Sequence, residues 1–456
     1  MGTLSKTSKM HAMNLLHFVL TTGAVSTVWL LWYIPRLGVN NRIFFVSLCI
    51  IHLPISIFLY KTFNIYNIGV SRITEVFYSQ VLACLFSDAI TYMVALVILL
   101  KPLSLMPHFI ALFVQILICF AWCKAADWLH VKLYPAMKTL IIYQNKNDFN
   151  KLQELIRLQR RFDVQKKLEA PNAIEDILPA LEGFQAVVIS GIPATLRNGI
   201  VKGCIDSNIN CYFIPHTGDV IIAGAKHLQS FSIPVMSVKR TNLSPEYVIS
   251  KRVFDIIFSS IGLIVASPFM LLVAIAIKSC DRGPILYKQV RLTKDGKRFN
   301  IFKFRSMRVD AEGDGIARLA SNNDDRITPV GKFIRAVRAD ELPQLFNIIK
   351  GDMSIVGPRP ERPEIAVQYE KDMPAFSLRL QVKAGLTGTA QVYGKYNTEP
   401  KDKLKMDLMY INEMSPLTDL KLIFATIKIL FMKDSTEGID ERQTTAVSAG
   451  INDKSA

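Results

Sequence analysis

The sequence predicts a membrane protein of three parts: an α-helical N-terminal bundle, an α/β middle domain, and a mainly helical C-terminal domain with a re-entrant helix. Three observations carry this prediction. Four apolar segments open the chain, hydrophobic strands then alternate with amphipathic helices, and a later apolar run is interrupted by Ser267-Pro268. The predicted boundaries are 1–130, 131–245 and 246–434, followed by a polar tail at 435–456.

The four N-terminal segments each approach the ~20 residues that a helix needs to cross a bilayer. Lysines follow the fourth segment and, with an even number of crossings, place both termini in the cytoplasm. Asp88 is the one acid within the segments, and it lies toward one end of the third, so we expect an interfacial or helix-packing role. The predicted segments are 15–34, 43–60, 81–100 and 105–122.

The composition is basic, with 54 Lys and Arg against 38 Asp and Glu and a formal net charge of +16. This balance suits nucleic acid, anionic lipid headgroups or phosphorylated substrates, and the apolar N-terminal third favours the lipid. The seven cysteines show no paired spacing, so we expect neither a disulfide framework nor a zinc site.

In the middle domain, short hydrophobic runs alternate with helical patterns, which predicts a small parallel sheet covered by helices. The first strand runs into Gln144-Asn145-Lys146-Asn147, without the glycine-rich loop that cradles a dinucleotide phosphate. We therefore expect a structural or regulatory domain. Predicted strands lie at 138–143, 185–190 and 211–215, and predicted helices at 148–160, 173–181 and 193–206.

The apolar run at 251–277 begins with Lys251-Arg252 and is long enough to span a membrane. Ser267-Pro268 falls inside it, and a proline removes one helical hydrogen bond and kinks the helix. A full crossing would put the following residues on the opposite side of the membrane from the middle domain. We therefore predict a re-entrant helix, with a fifth full span as the alternative.

Two adjacent acids, Asp340 and Glu341, stand at a predicted helix start, and Gly351 ends the helical pattern that follows. A carboxylate at a helix N-terminus among arginines stays ionised and can hold a metal or attack phosphorus. The alternative is a capping acid paired with a neighbouring arginine. The flanking arginines are Arg335, Arg338, Arg359 and Arg362.

This region resembles the bacterial sugar transferases, the monotopic polyprenyl-phosphate phosphoglycosyl transferases. The resemblance rests on Asp340-Glu341-Leu342-Pro343-Gln344-Leu345 and on the stretch from Gly351 to Glu361, which reads GDMSIVGPRPE. Further matches are Gln289-Val290-Arg291, Lys303-Phe304-Arg305-Ser306-Met307, Lys251-Arg252 and Ser267-Pro268.

By motif the resemblance covers residues 250–434, and before that it covers architecture alone. It implies a Rossmann-like middle domain and a helix that dips into one leaflet. Members transfer a sugar 1-phosphate from a UDP-sugar to polyprenyl (undecaprenyl) phosphate and release UMP, the first membrane step of exopolysaccharide, capsule or O-antigen synthesis. The implied location is the bacterial inner membrane, with the catalytic domain on the cytoplasmic face, where nucleotide-activated sugars occur.

Carried over residue by residue, the resemblance makes Asp340 the nucleophile and Glu341 a ligand of Mg²⁺. Arg335 and Arg359 would hold phosphate oxygens, and the other implied substrate-binding residues are Arg291, Lys303, Arg305 and Gln344. Lys251 and Arg252 would attract the lipid phosphate or anchor the helix at the interface, beside the membrane break at Ser267-Pro268.

The chain departs from the family at Thr293, where members often carry glycine, and at Arg338-Ala339, where many carry Ser-Leu. The turn geometry and the donor contacts at these positions therefore stay open.

Other functions remain as alternatives. A membrane-anchored sensor or scaffold without transferase activity would tolerate substitution of Asp340. An NAD-dependent sugar-modifying enzyme would need the glycine loop that the middle domain lacks. The basic stretch at 288–308 carries no RNA- or DNA-binding motif, so we expect no nucleic-acid partner. The sugar, the polymer and a homo-oligomeric state are left open.

Overall fold

The computed structural model describes residues 2–37, 41–159, 161–170, 173–228, 234–241, 243–309, 326–394 and 398–430. These residues form two compact units that divide between Pro215 and His216. The tail predicted at 435–456 lies outside the described residues.

Long apolar helices open the first unit, and four stretches of them are long and apolar enough to cross a membrane. The four predicted segments are thus confirmed as helices. α4 begins before the predicted 81–100 because its first turns, although more polar, bury Ser79 and Gln80 inside the bundle. The helices are α1 (Gly2–Val28), which continues through a π-helical turn (Trp29–Tyr33) into α2 (Ile34–Leu37), then α3 (Asn41–Thr62), α4 (Ile73–Leu99) and α5 (Met106–Leu133).

Polar side chains join these helices inside the bundle. Gln115 on α5 donates hydrogen bonds to the carbonyl oxygen of Thr21 at 3.1 Å and to Asp88 Oδ1 at 3.4 Å. The hydroxyl of Tyr60 on α3 donates to Thr21 Oγ1 at 2.8 Å. Asp88 is therefore buried between helices. Of the two expected roles, interfacial and helix-packing, this supports the helix-packing role.

The α/β part of the first unit holds a four-stranded parallel sheet in the order β2-β1-β3-β4, as the alternation predicted. β2 was not predicted because it is an edge strand of mostly polar, exposed residues. The helix predicted at 173–181 is wrong: two 3₁₀ turns stand there, Ile174–Asp176 and Leu178–Leu181, and Pro179 has no amide hydrogen for a helical bond. The elements are β1 (Met137–Tyr143), α6 (Lys146–Leu158), β2 (Phe162–Glu169), β3 (Ala186–Ser190), α7 (Ala194–Asp206) and β4 (Asn210–Phe213).

The second unit is mainly helical and contains three two-stranded sheets, of which β5–β6 and β7–β8 are antiparallel and β9–β10 is parallel. Its elements are α8 (Thr217–Ala223), β5 (Lys226–Leu228), β6 (Val235–Ser237), α9 (Pro245–Asp281), β7 (Leu286–Leu292), β8 (Arg298–Phe304), α10 (Pro329–Ala336), α11 (Gln344–Lys350), β9 (Ser354–Val356), α12 (Pro363–Asp372), β10 (Gly385–Thr387), α13 (Thr389–Val392), α14 (Pro400–Asn412) and α15 (Pro416–Leu430).

The long helix α9 is the fifth that is long and apolar enough to cross a membrane. Its first half packs Leu263 against Leu345 and Ile348, and its second half packs Val273 and Ile277 on the other side of Pro268. The face that points away from these contacts is apolar, with Ile264 73% and Val265 75% exposed. Both halves of α9 are therefore attached to the same unit. The helix continues through Ser267-Pro268.

Candidate active site

The two acids stand in a 3₁₀ turn, Ala339–Glu341, immediately before α11. Apolar contacts hold this turn, because Ala339 and Leu342 pack into the cluster formed with Val273 and Ile277 of α9. Arg338 enters the turn with φ 53°, a left-handed conformation that costs a non-glycine residue roughly 1–2 kcal/mol. The turn is thus fixed from beneath by the same helix that carries the exposed apolar face.

The carboxylate of Glu341 is surrounded by three cations. Arg359 Nη2 donates to Oε1 at 3.1 Å, Arg338 Nη2 donates to Oε2 at 3.2 Å, and Lys303 Nζ lies 3.7 Å from Oε1. Burial disfavours the charged form of Glu341, but Arg359, Lys303 and Arg338 together outweigh it and hold the pKa well below its usual range. Glu341 is therefore ionised throughout the neutral range.

Asp340 has the opposite tendency. Burial, and then the neighbouring negative charge of Glu341, raise its pKa, while Lys303, Arg335 and Arg359 act against the rise. An acid in this setting is a stronger nucleophile and base than an exposed aspartate, yet still ionises among cations. The two adjacent carboxylates therefore differ: Glu341 is stably charged, and Asp340 has a raised pKa.

Arg359 is held through its main chain while its side chain stays 45% exposed. Arg379 Nη2 donates to the carbonyl oxygen of Arg359 at 2.8 Å, and Arg291 Nη1 donates to the next carbonyl, that of Pro360, at 3.2 Å. Just before this turn, a side chain at Gly357 would come within 2.4 Å of the carbonyl oxygen of Lys383. Two guanidinium groups and a close backbone contact thus fix the turn that presents Arg359.

The arginine that holds Arg359 is itself paired with Asp407 on α14. Arg379 Nη2 lies 2.7 Å from Asp407 Oδ2, and the Asp407 side chain is 0% exposed. Burial raises the pKa of Asp407 to about 6, although Arg379 opposes the shift. Sequence reasoning missed Arg379, since no local pattern marks it and its partners lie 20 and 28 residues away.

Five of the predicted site residues line one concave pocket beside the acid pair, together with Ile301, Pro360 and Gly385. Burial lowers the pKa of Lys303 to about 8, with Glu341 as the main opposing influence. Burial also lowers the pKa of Arg291. The five predicted residues that the structure brings together here are Arg291, Lys303, Glu341, Gln344 and Arg359.

Three other predicted residues have partners elsewhere in the second unit. Arg305 forms an ion pair with Asp281 at the end of α9. Lys251 Nζ donates to Asp419 Oδ2 at 2.6 Å, and Arg252 donates to the carbonyl oxygens of Ile348 and Ile349 at 2.6 and 2.7 Å. In this state all three hold α9 or its neighbours, and their binding of a substrate or a lipid phosphate stays a prediction.

The two departures from the family pattern have local explanations. Thr293 has extended backbone angles, φ −127° and ψ −162°, so no glycine is needed there. Its hydroxyl donates to the carbonyl oxygen of Asp352 at 2.8 Å and accepts from the amide of Ala384 at 3.2 Å. Arg338 contributes one of the cations around Glu341.

Within the described residues, no group of three His, Cys, Asp or Glu side chains is close enough to form a metal site. Both oxygens of Glu341 face cations. Carboxylate oxygens are nevertheless the donors that Mg²⁺ prefers, and Mg²⁺ is often held by one or two carboxylates together with substrate phosphates. The carboxylates of Asp340 and Glu341 are thus the groups of this site that could hold an ion together with a bound diphosphate.

Comparison with known proteins gives one matching family and several relatives. The family described as "Bacterial sugar transferase" matches residues 246–433. The UDP-glucose:undecaprenyl-phosphate glucose-1-phosphate transferase of Klebsiella pneumoniae is 38% identical over 233 residues, 50% of each chain. The undecaprenyl-phosphate glucose phosphotransferase of Komagataeibacter xylinus is 35% identical over 295 residues, 61% of this chain and 54% of that relative.

A shorter relative is covered for most of its length. The UDP-glucose:undecaprenyl-phosphate glucose-1-phosphate transferase of Caulobacter vibrioides is 38% identical over 190 residues, 41% of this chain and 71% of that protein. The matched part of this chain otherwise spans about half the length of the relatives named above. The family match over residues 246–433 contains Asp340, Glu341 and the turn that presents Arg359.

Proposed function

Because this chain belongs to the bacterial sugar transferase family, we propose that it transfers a sugar 1-phosphate from a UDP-sugar to undecaprenyl phosphate. The observation that carries the proposal is the pocket that Arg291, Lys303 and Arg359 line together with Glu341, the residue next to Asp340. The relatives named above are themselves undecaprenyl-phosphate sugar-phosphate transferases. In this proposal the enzyme performs the first membrane step of exopolysaccharide, capsule or O-antigen synthesis.

The donor diphosphate would bind among the cations. Arg359 is half exposed, and its guanidinium fork can donate to two phosphate oxygens in one plane. Lys303 and Arg291 lie on the same pocket wall, and Arg335 is close enough to influence Asp340. Gln344 would add a neutral donor. Arg305, paired with Asp281, would contact the donor only after that ion pair opens.

Asp340 would attack the β-phosphorus of the donor. A bond forms between its carboxylate oxygen and phosphorus, the bond to the bridging oxygen breaks, and UMP leaves with the electron pair. The sugar phosphate is then linked to Asp340 as a mixed anhydride. An oxygen of undecaprenyl phosphate attacks the same phosphorus, and Asp340 leaves as a free carboxylate. The raised pKa of Asp340 supports the nucleophilic role, since a more basic carboxylate attacks faster.

We assign Mg²⁺ as the cofactor, with Glu341 as its protein ligand and the donor phosphates as the others. When bound, the ion screens the negative charge of the diphosphate. Glu341 would hold the ion, and Lys303 and Arg359, which pair with Glu341 here, would contact the phosphate oxygens. Arg338 can hold the second carboxylate oxygen throughout.

The acceptor places the site at headgroup depth, because its phosphate lies at the membrane surface and its isoprenoid tail lies in the hydrocarbon. We propose that α9 enters one leaflet, bends at Ser267-Pro268 and returns. The packing of both its halves on one unit supports this, since a straight crossing would carry one half away from that unit. The exposed Ile264 and Val265 then face lipid.

The proposed organisation is a membrane bundle at 1–130, a Rossmann-like domain at 131–245 and a catalytic domain at 246–434. The strand order β2-β1-β3-β4 supports the middle assignment, since doubly wound folds place their first strand inside the sheet. We propose the bacterial inner membrane as the location, with the catalytic domain on the cytoplasmic face.

The test is a UMP-release assay on purified membranes with undecaprenyl phosphate, Mg²⁺ and a panel of UDP-sugars. The proposal predicts release with a particular donor and only background release by Asp340→Asn. Release by no donor would overturn the transferase function and favour a scaffold. Full activity of Asp340→Asn would keep the reaction and overturn the nucleophile.

A further inference from the structure

Asp88 is the one residue among Asp, Glu, Lys and Arg in the four predicted membrane segments, and it is buried in the bundle. An ionised carboxylate in this position has no lysine or arginine partner within those segments, and an unpaired charge in a membrane interior is strongly disfavoured. The imidazoles in these segments have other partners: His52 contacts Thr91 and Ser56, His17 contacts Tyr66 and Cys119, and His108 contacts Tyr33.

The hydrogen bonds around Asp88 leave two oxygens without a donor. Oδ1 accepts from Gln115 Nε2 at 3.4 Å and from Ser87 Oγ at 3.5 Å. Among the described residues, no donor reaches Asp88 Oδ2 or Gln115 Oε1, and both atoms are buried. Both are acceptors, so each needs a hydrogen that neither side chain supplies when Asp88 is ionised.

A single proton resolves both deficits. A protonated carboxyl group donates one O–H, and a carboxylic acid and a primary amide can form a ring with two hydrogen bonds. In that ring the Asp88 O–H donates to Gln115 Oε1 while Gln115 Nε2 donates to Asp88 Oδ1. The second hydrogen of the Gln115 amide is directed to the carbonyl oxygen of Thr21, at 3.1 Å.

We propose that Asp88 and Gln115 form an intramembrane proton-binding site, in which one resident proton locks α4 to α5 and, through Thr21, to α1. The site lies outside the proposed transferase centre, and neither depends on the other. The proton remains on the carboxyl group as a structural ligand, and no transfer step is involved. A bound monovalent cation is the competing occupant, since it also would satisfy two acceptor oxygens.

The full-length protein in nanodiscs provides the test. Asp88→Asn keeps the ring, because its amide N–H replaces the carboxyl O–H. Its melting temperature should equal that of the parent, whereas Asp88→Leu should melt on the order of 5 °C lower because two buried hydrogen bonds are lost. Gln115→Met removes the same ring from the other side and should give a similar fall. UMP release by Asp88→Asn should be unchanged.

Infrared spectroscopy tests the proton directly and does not require Asp88→Leu to fold. The difference spectrum between the parent and Asp88→Asn should contain the carbonyl band of a protonated carboxyl group, shifted in D₂O. Carboxylate bands in its place would overturn the proposal. So would a melting temperature that rises with Na⁺ in the parent and not in Asp88→Asn, or an Asp88→Asn variant as unstable as Asp88→Leu.

Discussion

The guanidinium group of Arg379 donates a 2.8 Å hydrogen bond to the carbonyl oxygen of Arg359. Through this bond the buried Arg379–Asp407 ion pair sets the position of the turn that carries Arg359. The side chain of Arg359 in turn reaches Glu341. The position of Arg359 in the pocket therefore depends on an ion pair whose residues do not line the pocket shared by Lys303 and Glu341.

Replacing Arg379 should reduce catalysis through Arg359. We expect Arg379→Ala to lower kcat by about 10²-fold, since displacement by an ångström has effects of this size. It also leaves Asp407 buried without its cation, which costs about 3–5 kcal/mol. The double variant Arg379→Gln/Asp407→Asn removes both charges and should recover most of the stability. Recovery of kcat along with stability would contradict the positioning role, and UMP-release kinetics with thermal melts measure both.

The alkaline limb of the pH profile should report Lys303. Its pKa of about 8 means that the ammonium loses its charge as pH rises through 8, so donor binding should weaken there. Lys303→Arg keeps a cation at all accessible pH values and should move the fall in kcat/KM to higher pH. An unshifted alkaline limb in this variant would assign that limb to another group.

Glu341→Gln should move the alkaline limb of the pH profile in the direction opposite to that expected for Lys303→Arg. Glu341 is the main group that raises the pKa of Lys303, so its loss should move the alkaline limb to lower pH. We also expect kcat to fall about 10²–10³-fold, because the carboxylate aligns two arginines. Glu364→Gln is the matched control, an exposed acid that pairs with Arg362 at 3.8 Å. An equal shift of the limb in this control would contradict the assignment.

The acid limb of the pH–activity profile should lie at a higher pH than the ionisation of an ordinary aspartate would give. As the proposed nucleophile, Asp340 would have to be ionised to attack, and its raised pKa delays ionisation as pH increases. Activity should thus be lost on acidification at a pH above the usual value of about 3.9 for Asp. Asp407, with a pKa of about 6, would contribute to the same limb by releasing Arg379. A profile that stays flat below pH 4 would contradict both assignments.

Arg252→Ala should affect stability more than acceptor binding. Its side chain caps the last carbonyl groups of α11, and loss of these two bonds should cost about 2 kcal/mol. Lys350→Ala removes an exposed cation from the same helix end and should have little effect. A stable Arg252→Ala enzyme with a raised KM for undecaprenyl phosphate would restore the lipid-phosphate role.

Cysteine labelling tests the path of α9. Cys280 is exposed near its C-terminal end, and Glu246→Cys would add a thiol near its N-terminal end. A helix that enters and leaves one leaflet predicts that a membrane-impermeant maleimide labels both from the same side. Labelling from opposite sides would show a full crossing.

The elements that were predicted from sequence are those whose signal is local. The four predicted membrane segments are continuous apolar runs, and β1 and β3 are short hydrophobic strands that lie buried in the sheet. β2 was missed because its edge position requires little burial, so its residues Asp163 to Glu169 are largely polar. The start of α4 was predicted too late because buried polar side chains such as Gln80 do not contribute to an apolar pattern.

The site was predictable in its motifs and not in its supports. Asp340, Glu341 and Arg359 stand in recognisable stretches, and the pocket confirms that Glu341 and Arg359 are neighbours. The partners of Lys251 and Arg305 lie 168 and 24 residues away, so spacing could not show that both are already in ion pairs. Arg379 stands in no motif, and its contact with Arg359 exists only after the chain has folded.

The aspartyl intermediate is tested most directly by the intact mass of the purified protein after incubation with its UDP-sugar and Mg²⁺ in the absence of acceptor. We expect a mass increase of one sugar phosphate, mapped by proteolysis to Asp340 and absent in Asp340→Asn. Addition of undecaprenyl phosphate should remove it. A parent enzyme that releases UMP only when acceptor is present, and never carries the added mass, would contradict an aspartyl intermediate.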